Sequence, residues 1–191
     1  MARQKSGDKE NVIRRAVVAE VAAVGSTAVS VNNVAKRSGL AVGTLYRYFE
    51  NKDALLRATY LAVKSEIHQM MILAARDQNT SKTKIRAMWF GLLEYAHQQP
   101  HDFIFAEVIL NAVLLTDEER ALVQSMSDEA SAIVAGAVVD GTIRAGSAGA
   151  INTLLIAPAL QIGRQSALSG RPLDLDHAEE VFALCWRAVS T

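Results

Sequence analysis

Hydroxyl and cationic side chains crowd one short stretch of the chain: Thr44, Tyr46, Arg47, Tyr48 and Lys52, with Ser30, Lys36 and Arg37 just upstream. Hydroxyls and a lysine hydrogen-bond oxyanions such as phosphate, and an arginine can pair with a base edge, so the chemistry on offer is recognition rather than bond making. Elsewhere the reactive residue types do not assemble. His97 and His101 are four apart, but Pro100 between them disrupts the helix that would align them as metal ligands. Asp102 and Glu107 complete no metal site, and Cys185 has no sequence-local base or cation to activate it. There is no nucleotide-binding glycine loop, nucleophile elbow or CxxC pair. Neither an enzyme nor a cofactor is expected.

The elements around that stretch explain its crowding. Val31, Val34 and Ala35 fall at the i, i+3, i+4 spacing of an amphipathic helix. Ser38-Gly39 stops that helix, and a second helix starts after Leu40 and carries Thr44 to Tyr48. Leu45 and Phe49, four apart, point inward, which leaves Ala41, Val42, Thr44, Tyr46, Arg47 and Tyr48 facing out. Helix, glycine turn, helix is the layout of a helix-turn-helix, whose second helix enters the DNA major groove. Ser30 is placed to cap the first helix with its hydroxyl, and Lys36 and Arg37 stand beside the turn, in reach of phosphates.

The run VAKRSGLAVGTLYRYFENKDALL, Val34 to Leu56, resembles the DNA-binding signature of the TetR family of transcriptional regulators. The resemblance covers roughly the first third of the chain; beyond it only length and helical character agree. It implies that Thr44, Tyr46, Tyr48 and Lys52 contact phosphates, that Ser30 can also touch one, and that Val42, Gly43 and Arg47 approach base edges. Arg47 could then read guanine O6 and N7, and Val42 could pack on a thymine methyl. Two departures stand out. The family commonly has Ser or Thr where this chain has Ala41, a lost cap that costs on the order of 1 kcal/mol. It usually has phenylalanine where Val21 sits.

Composition fits this picture. Half of the 191 residues are apolar, and only three prolines interrupt the chain, which favours long helices. One cysteine suits a reducing cytoplasm, the N-terminus has no secretory apolar region, and no apolar run is long enough to span a bilayer. The net charge of zero hides an asymmetry: residues 1–57 hold ten Lys/Arg against five Asp/Glu, and residues 58–191 ten against fifteen. A basic N-terminal unit on an acidic remainder is expected when one part meets phosphates.

The expected fold is all-α, about nine helices. A helix-turn-helix head over 7–67 is joined through a long fourth helix to an effector-binding and dimerisation bundle over 68–191. Arg3 and Lys5 fall in a polar N-terminal arm, and the first helix runs from about Lys9 to Val24. Asn51 caps the fourth helix, which continues to about Arg76. Further helices are expected over Lys82–Gln98, Phe103–Leu115, Asp117–Arg144, 148–169 (kinked at Pro158) and 175–189. Two readings of the bundle follow. As a dimerisation module, it pairs through the last two helices, whose apolar residues are Leu154, Leu155, Ala157, Leu160, Ile162, Phe182, Leu184 and Trp186. A two-fold dimer fits a palindromic double-stranded operator. As an effector site, it holds a small molecule against Met70, Met71, Trp89, Phe90, Phe103 and Phe105, with Glu107 favouring a cationic effector should it face the cavity. The alternative is a regulator with no effector, whose bundle serves only assembly.

Overall fold

The structure is a computed structural model that describes residues 2–109, 114–146 and 148–191. Among the described residues there are nine helices: α1 Ala2–Val24, α2 Val31–Ser38, α3 Val42–Tyr48, α4 Lys52–Arg76, α5 Ser81–Gln98, α6 Pro100–Ile109, α7 Asp117–Val139, α8 Ala148–Ser169 and α9 Leu175–Val189. The head forms because each short helix has one apolar stripe and nothing else to bury it against. Ile13, Val17 and Val21 of α1, Val34 and Ala35 of α2, and Leu45 of α3 are all buried together. Val21, where the family usually has phenylalanine, is itself buried.

α4 leaves the head without a break. The Asn51 side chain accepts from the Ala54 N–H at 2.8 Å, starting a 25-residue helix with Asp53 in its first turn. At about 1.5 Å per residue α4 spans roughly 38 Å, so one rigid element runs from the recognition motif into the bundle. Arg57 and His68 on α4 pair with Glu119 and Glu129 on α7, at 3.0 and 2.8 Å.

α5 is the strut of the bundle. Ile85, Met88, Trp89, Leu92, Leu93 and Ala96 are buried on several sides of it, because α4, α6, α7 and α8 all pack against this one helix. Two glycines permit the close approaches. A Cβ at Gly91 would lie 3.1 Å from the Met70 carbonyl of α4, and one at Gly163 of α8 would lie 3.1 Å from Ala96 Cβ and Phe103 Cζ. α9 completes the bundle by placing Phe182 edge-on to Trp89, with ring centroids 5.6 Å apart.

Several expected boundaries shift, each for a local reason. α1 already includes Arg3 and Lys5, so these residues are helical rather than part of an irregular arm. Pro100 opens α6 at a first-turn position that needs no N–H, rather than preceding it; α6 is described as far as Ile109, and residues 110–113 of the expected helix lie outside the described residues. α7 stops at Val139, not Arg144, because Gly141 takes a left-handed φ of 77° after Asp140. The next residues turn to meet the C-terminus, where Ile143 bridges to Ser190 and the Arg144 N–H donates to Val189 O at 2.9 Å. α8 continues through Pro158 as one helix. Of the apolar residues assigned to a dimer face, Leu155, Ile162, Phe182 and Trp186 are buried in the chain's own bundle; Leu154, Ala157, Leu160 and Leu184 are exposed.

Candidate nucleic-acid interface and the cavities behind it

α3 is held by one face and bare on the other. Leu45 is buried and Phe49 is half-buried against the core, while Tyr46 is 52% exposed and Tyr48 36%. Arg47 is exposed and makes no hydrogen bond or ion pair with the described residues, and Gly43 stands on open space, with nothing within 4 Å of where a Cβ would be. Val42 and Thr44 are half-buried at the start of the helix. Its first residue is approached through Ala41, which has extended backbone and no side-chain cap; the Thr44 N–H donates instead to Ala41 O at 2.8 Å.

The turn before α3 is set by Gly39 at φ 67°. Its N–H donates to Lys36 O at 3.3 Å and the next, Leu40 N–H, to Ala35 O at 3.1 Å, a paired closure that only a left-handed residue makes cheaply. Lys36 remains exposed on α2. Lys52 is half-buried at the start of α4, with Nζ 3.5 Å from Thr27 O.

Ser30 stands at the N-cap position of α2 but makes no side-chain cap hydrogen bond. Glu20 of α1, which sequence reasoning passed over, ties α1 to α2 instead. The Glu20 carboxylate accepts from Asn33 Nδ2 at 2.7 Å and from Arg37 Nε at 2.7 Å. These donors hold its pKa below the usual carboxylate value, with Asn33 first and Arg37 next. Arg37 is thereby tied to α1 rather than standing free beside the turn. The signal was present in the sequence: Glu20 is an acid among Val17, Val18 and Val21 on a buried face.

A second polar knot fastens the head to the bundle. The Arg14 guanidinium of α1 pairs with Glu66 of α4 through Nη1 and with Asp102 of α6 through Nη2, the latter at 3.1 Å. The Tyr95 hydroxyl of α5 donates to the same Glu66 at 3.2 Å. Asp102 and Tyr95 are both buried, and burial is the largest cause raising the pKa of each.

The residues expected to line one effector site are divided. Met70 and Phe90 line an open groove of about 780 Å³ between α4, α5 and the α8–α9 connection. Met71 and Trp89 line a separate recess of about 40 Å³ among α4, α5, α7 and α8, and the Trp89 indole N–H is spent on Leu155 O at 2.7 Å. Phe103 and Phe105 line neither; they are core, 1% and 2% exposed. Glu107 also faces neither cavity, and lies 3.7 Å from Arg164 of α8. His97 and His101 are exposed, no metal-holding cluster of three His, Cys, Asp or Glu occurs among the described residues, and burial pushes the Cys185 thiol pKa up, away from a reactive thiolate. No helix among the described residues is long and apolar enough to cross a membrane.

Comparison with known proteins converges on this head. Residues 13–59, from the buried face of α1 into α4, match the family model for bacterial regulatory proteins of the tetR family. The nucleoid occlusion factor SlmA of Actinobacillus pleuropneumoniae is 26% identical over 76 residues, 40% of this chain; the similarity spans only 38% of that relative's length. The HTH-type transcriptional regulator PksA of Bacillus subtilis is 29% identical over 61% of this chain and 68% of its own. The crystal structure of a TetR family transcription regulator from Marinobacter aquaeolei VT8 superposes with a TM-score of 0.88 at 26% identity, covering 98% of each chain. The head thus matches the tetR family of bacterial regulatory proteins, and the long α4 and helical bundle behind it share the fold of a TetR family transcription regulator.

Proposed function

We propose that this chain is a DNA-binding transcription regulator that works in the cytoplasm as a repressor. A homodimer grips a palindromic operator through two α3 helices and releases it when a small-molecule effector binds the C-terminal bundle. The supporting observation is the two-sidedness of α3: Leu45 is buried in the head, with Val42 and Phe49 packed beside it, while Tyr46, Arg47 and Tyr48 project from a surface that Gly43 keeps low. Arg47 is the side chain suited to a guanine edge, with Val42 against a thymine methyl and Gly43 allowing close approach. Thr44, Tyr46, Tyr48, Lys36 and Lys52 suit phosphates, and Arg37 can add its terminal N–H groups while Nε holds Glu20. With few base-reading groups, DNA shape carries much of the selectivity.

The dimer is proposed to form across α8 and α9, where Leu154, Leu160 and Leu184 leave apolar surface exposed on adjacent helices. An effector acts by binding the DNA-fitting and non-fitting arrangements unequally, which requires a coupling between cavity and head. Selecting genomic DNA fragments with the purified protein tests this function. Enrichment of a palindromic site that Arg47→Ala weakens is the expected outcome; no enrichment, or an unchanged site and affinity in the variant, speaks against it.

A further inference from the structure

The open groove between α4 and α5 has a consistent chemistry. Its floor is apolar, from Met70, Leu73 and Phe90, and its carboxylates are Glu66 and Glu94, with no Lys, Arg or His among the lining side chains. Arg86 stacks 4.5 Å from the centre of the Phe90 ring and is paired with Glu179 of α9. Glu94 is exposed and touches only a neutral partner, Gln98 Nε2 at 2.6 Å. An apolar floor beside two carboxylates, one of them without a cationic partner among the described residues, suits an organic cation that carries a hydrophobic body.

Glu66 belongs to two structures at once. Its side chain is 42% exposed and lines the groove, yet it holds Arg14 of the head. Arg14 is not fully matched where it sits, since its buried Nε–H has no hydrogen-bond partner. If it let go of Glu66 it would keep Asp102 at 3.1 Å, so the guanidinium would not be stranded. We propose that the groove binds an apolar organic cation whose positive group replaces Arg14 at Glu66, releasing α1 from α4 while its tie to α6 remains, so that α1 can shift against α4. This rests on the ligand-responsive regulator described above, and it supplies the coupling that such a regulator needs.

Calorimetry on the full chain with 4-phenylbutylammonium, and with 4-phenylbutan-1-ol as its uncharged counterpart, reads the site directly. The ammonium is expected to bind about tenfold or more tightly than the alcohol, the scale of one charge-assisted hydrogen bond. Glu94→Gln, at an exposed position, should weaken the ammonium severalfold while leaving the fold intact. Arg14→Gln should tighten it by removing the competitor and should erase the effect of the ammonium on operator affinity, a pair of changes that loss of a merely structural contact would not produce. Equal binding of ammonium and alcohol, indifference to Glu94→Gln, or an Arg14→Gln protein whose operator affinity still responds would overturn the proposal. Operator selection without ammonium preference refutes the cation site alone. Ammonium preference in a protein that selects no operator refutes the regulator and leaves the site standing.

Discussion

Replacing Glu20 by alanine removes one carboxylate and strands two donors at once: Asn33 Nδ2 and Arg37 Nε. Hydrogen bonds to a charged group contribute about 1.5–3 kcal/mol each when buried. Here the carboxylate is covered, at 2% side-chain exposure, but Arg37 is 43% exposed and Asn33 lies at the surface, so both can turn to water. Discounting the Arg37 pair to about 0.5–1 kcal/mol and keeping the Asn33 hydrogen bond at about 1 kcal/mol, the expected loss is about 1.5–2 kcal/mol. For a chain of this size that is roughly a 3–8 °C fall in the melting temperature of the head. Arg37→Ala alone should lose less than half as much. The sign with pH follows from the depressed Glu20 pKa: its contribution is present above the ordinary value of 4.5 and is lost as pH falls through the lower folded value. Urea denaturation of parent and Glu20→Ala at neutral pH and again in acid measures both effects. A neutral-pH difference under about 0.5 kcal/mol would refute the assignment of Glu20 as the buried tie between α1 and α2.

Other positions separate binding from folding. Gly43→Glu should leave thermal stability nearly unchanged, since nothing lies within 4 Å of its Cβ, yet reduce operator binding about tenfold or more by setting a carboxylate against phosphates; calorimetry and gel-shift titration check the two halves. Ala41→Ser should stabilise the head by about 0.5–1 kcal/mol, because the extended N-cap of α3 has no side-chain acceptor, and denaturant midpoints report it. Leu154→Glu combined with Leu184→Glu, both exposed in the single chain, should shift sedimentation to that of a monomer without unfolding it.

What was legible in the sequence is what depends on near neighbours. The Asn51 cap, the span of α4, the limits of α8 and α9, and the glycine turn at Gly39 are all set within a few residues of themselves. So is the inward face of α3, where Leu45 is fixed by its spacing to Phe49. The polar ties that join elements were not legible, because Arg14 meets Glu66 and Asp102, each more than fifty residues away along the chain. A weaker trace existed: Glu20 and Asp102 each place a charge on an apolar face, and burying such a charge demands a partner. Ser30 misled for a related reason. Its residue type and position fit a capping hydroxyl, but its side chain makes no cap hydrogen bond, and α2 is tied instead through Asn33 and Arg37 to Glu20 of another helix. The aromatic residues of the bundle misled because burial and cavity lining look alike in sequence: Phe90 borders a groove, whereas Phe103 and Phe105 fill the core.

The central claim is that α3 reads DNA in a two-fold dimer, with Arg47 at a base edge. Sequencing the genomic fragments retained by the purified protein, with hydroxyl-radical footprinting of the best of them, tests it most directly. The expected result is a palindrome with two protected half-sites about one helical turn apart, whose guanine preference at one position in each half relaxes in Arg47→Ala. Protection of a single unpaired site, or retention of unselected DNA, would contradict it.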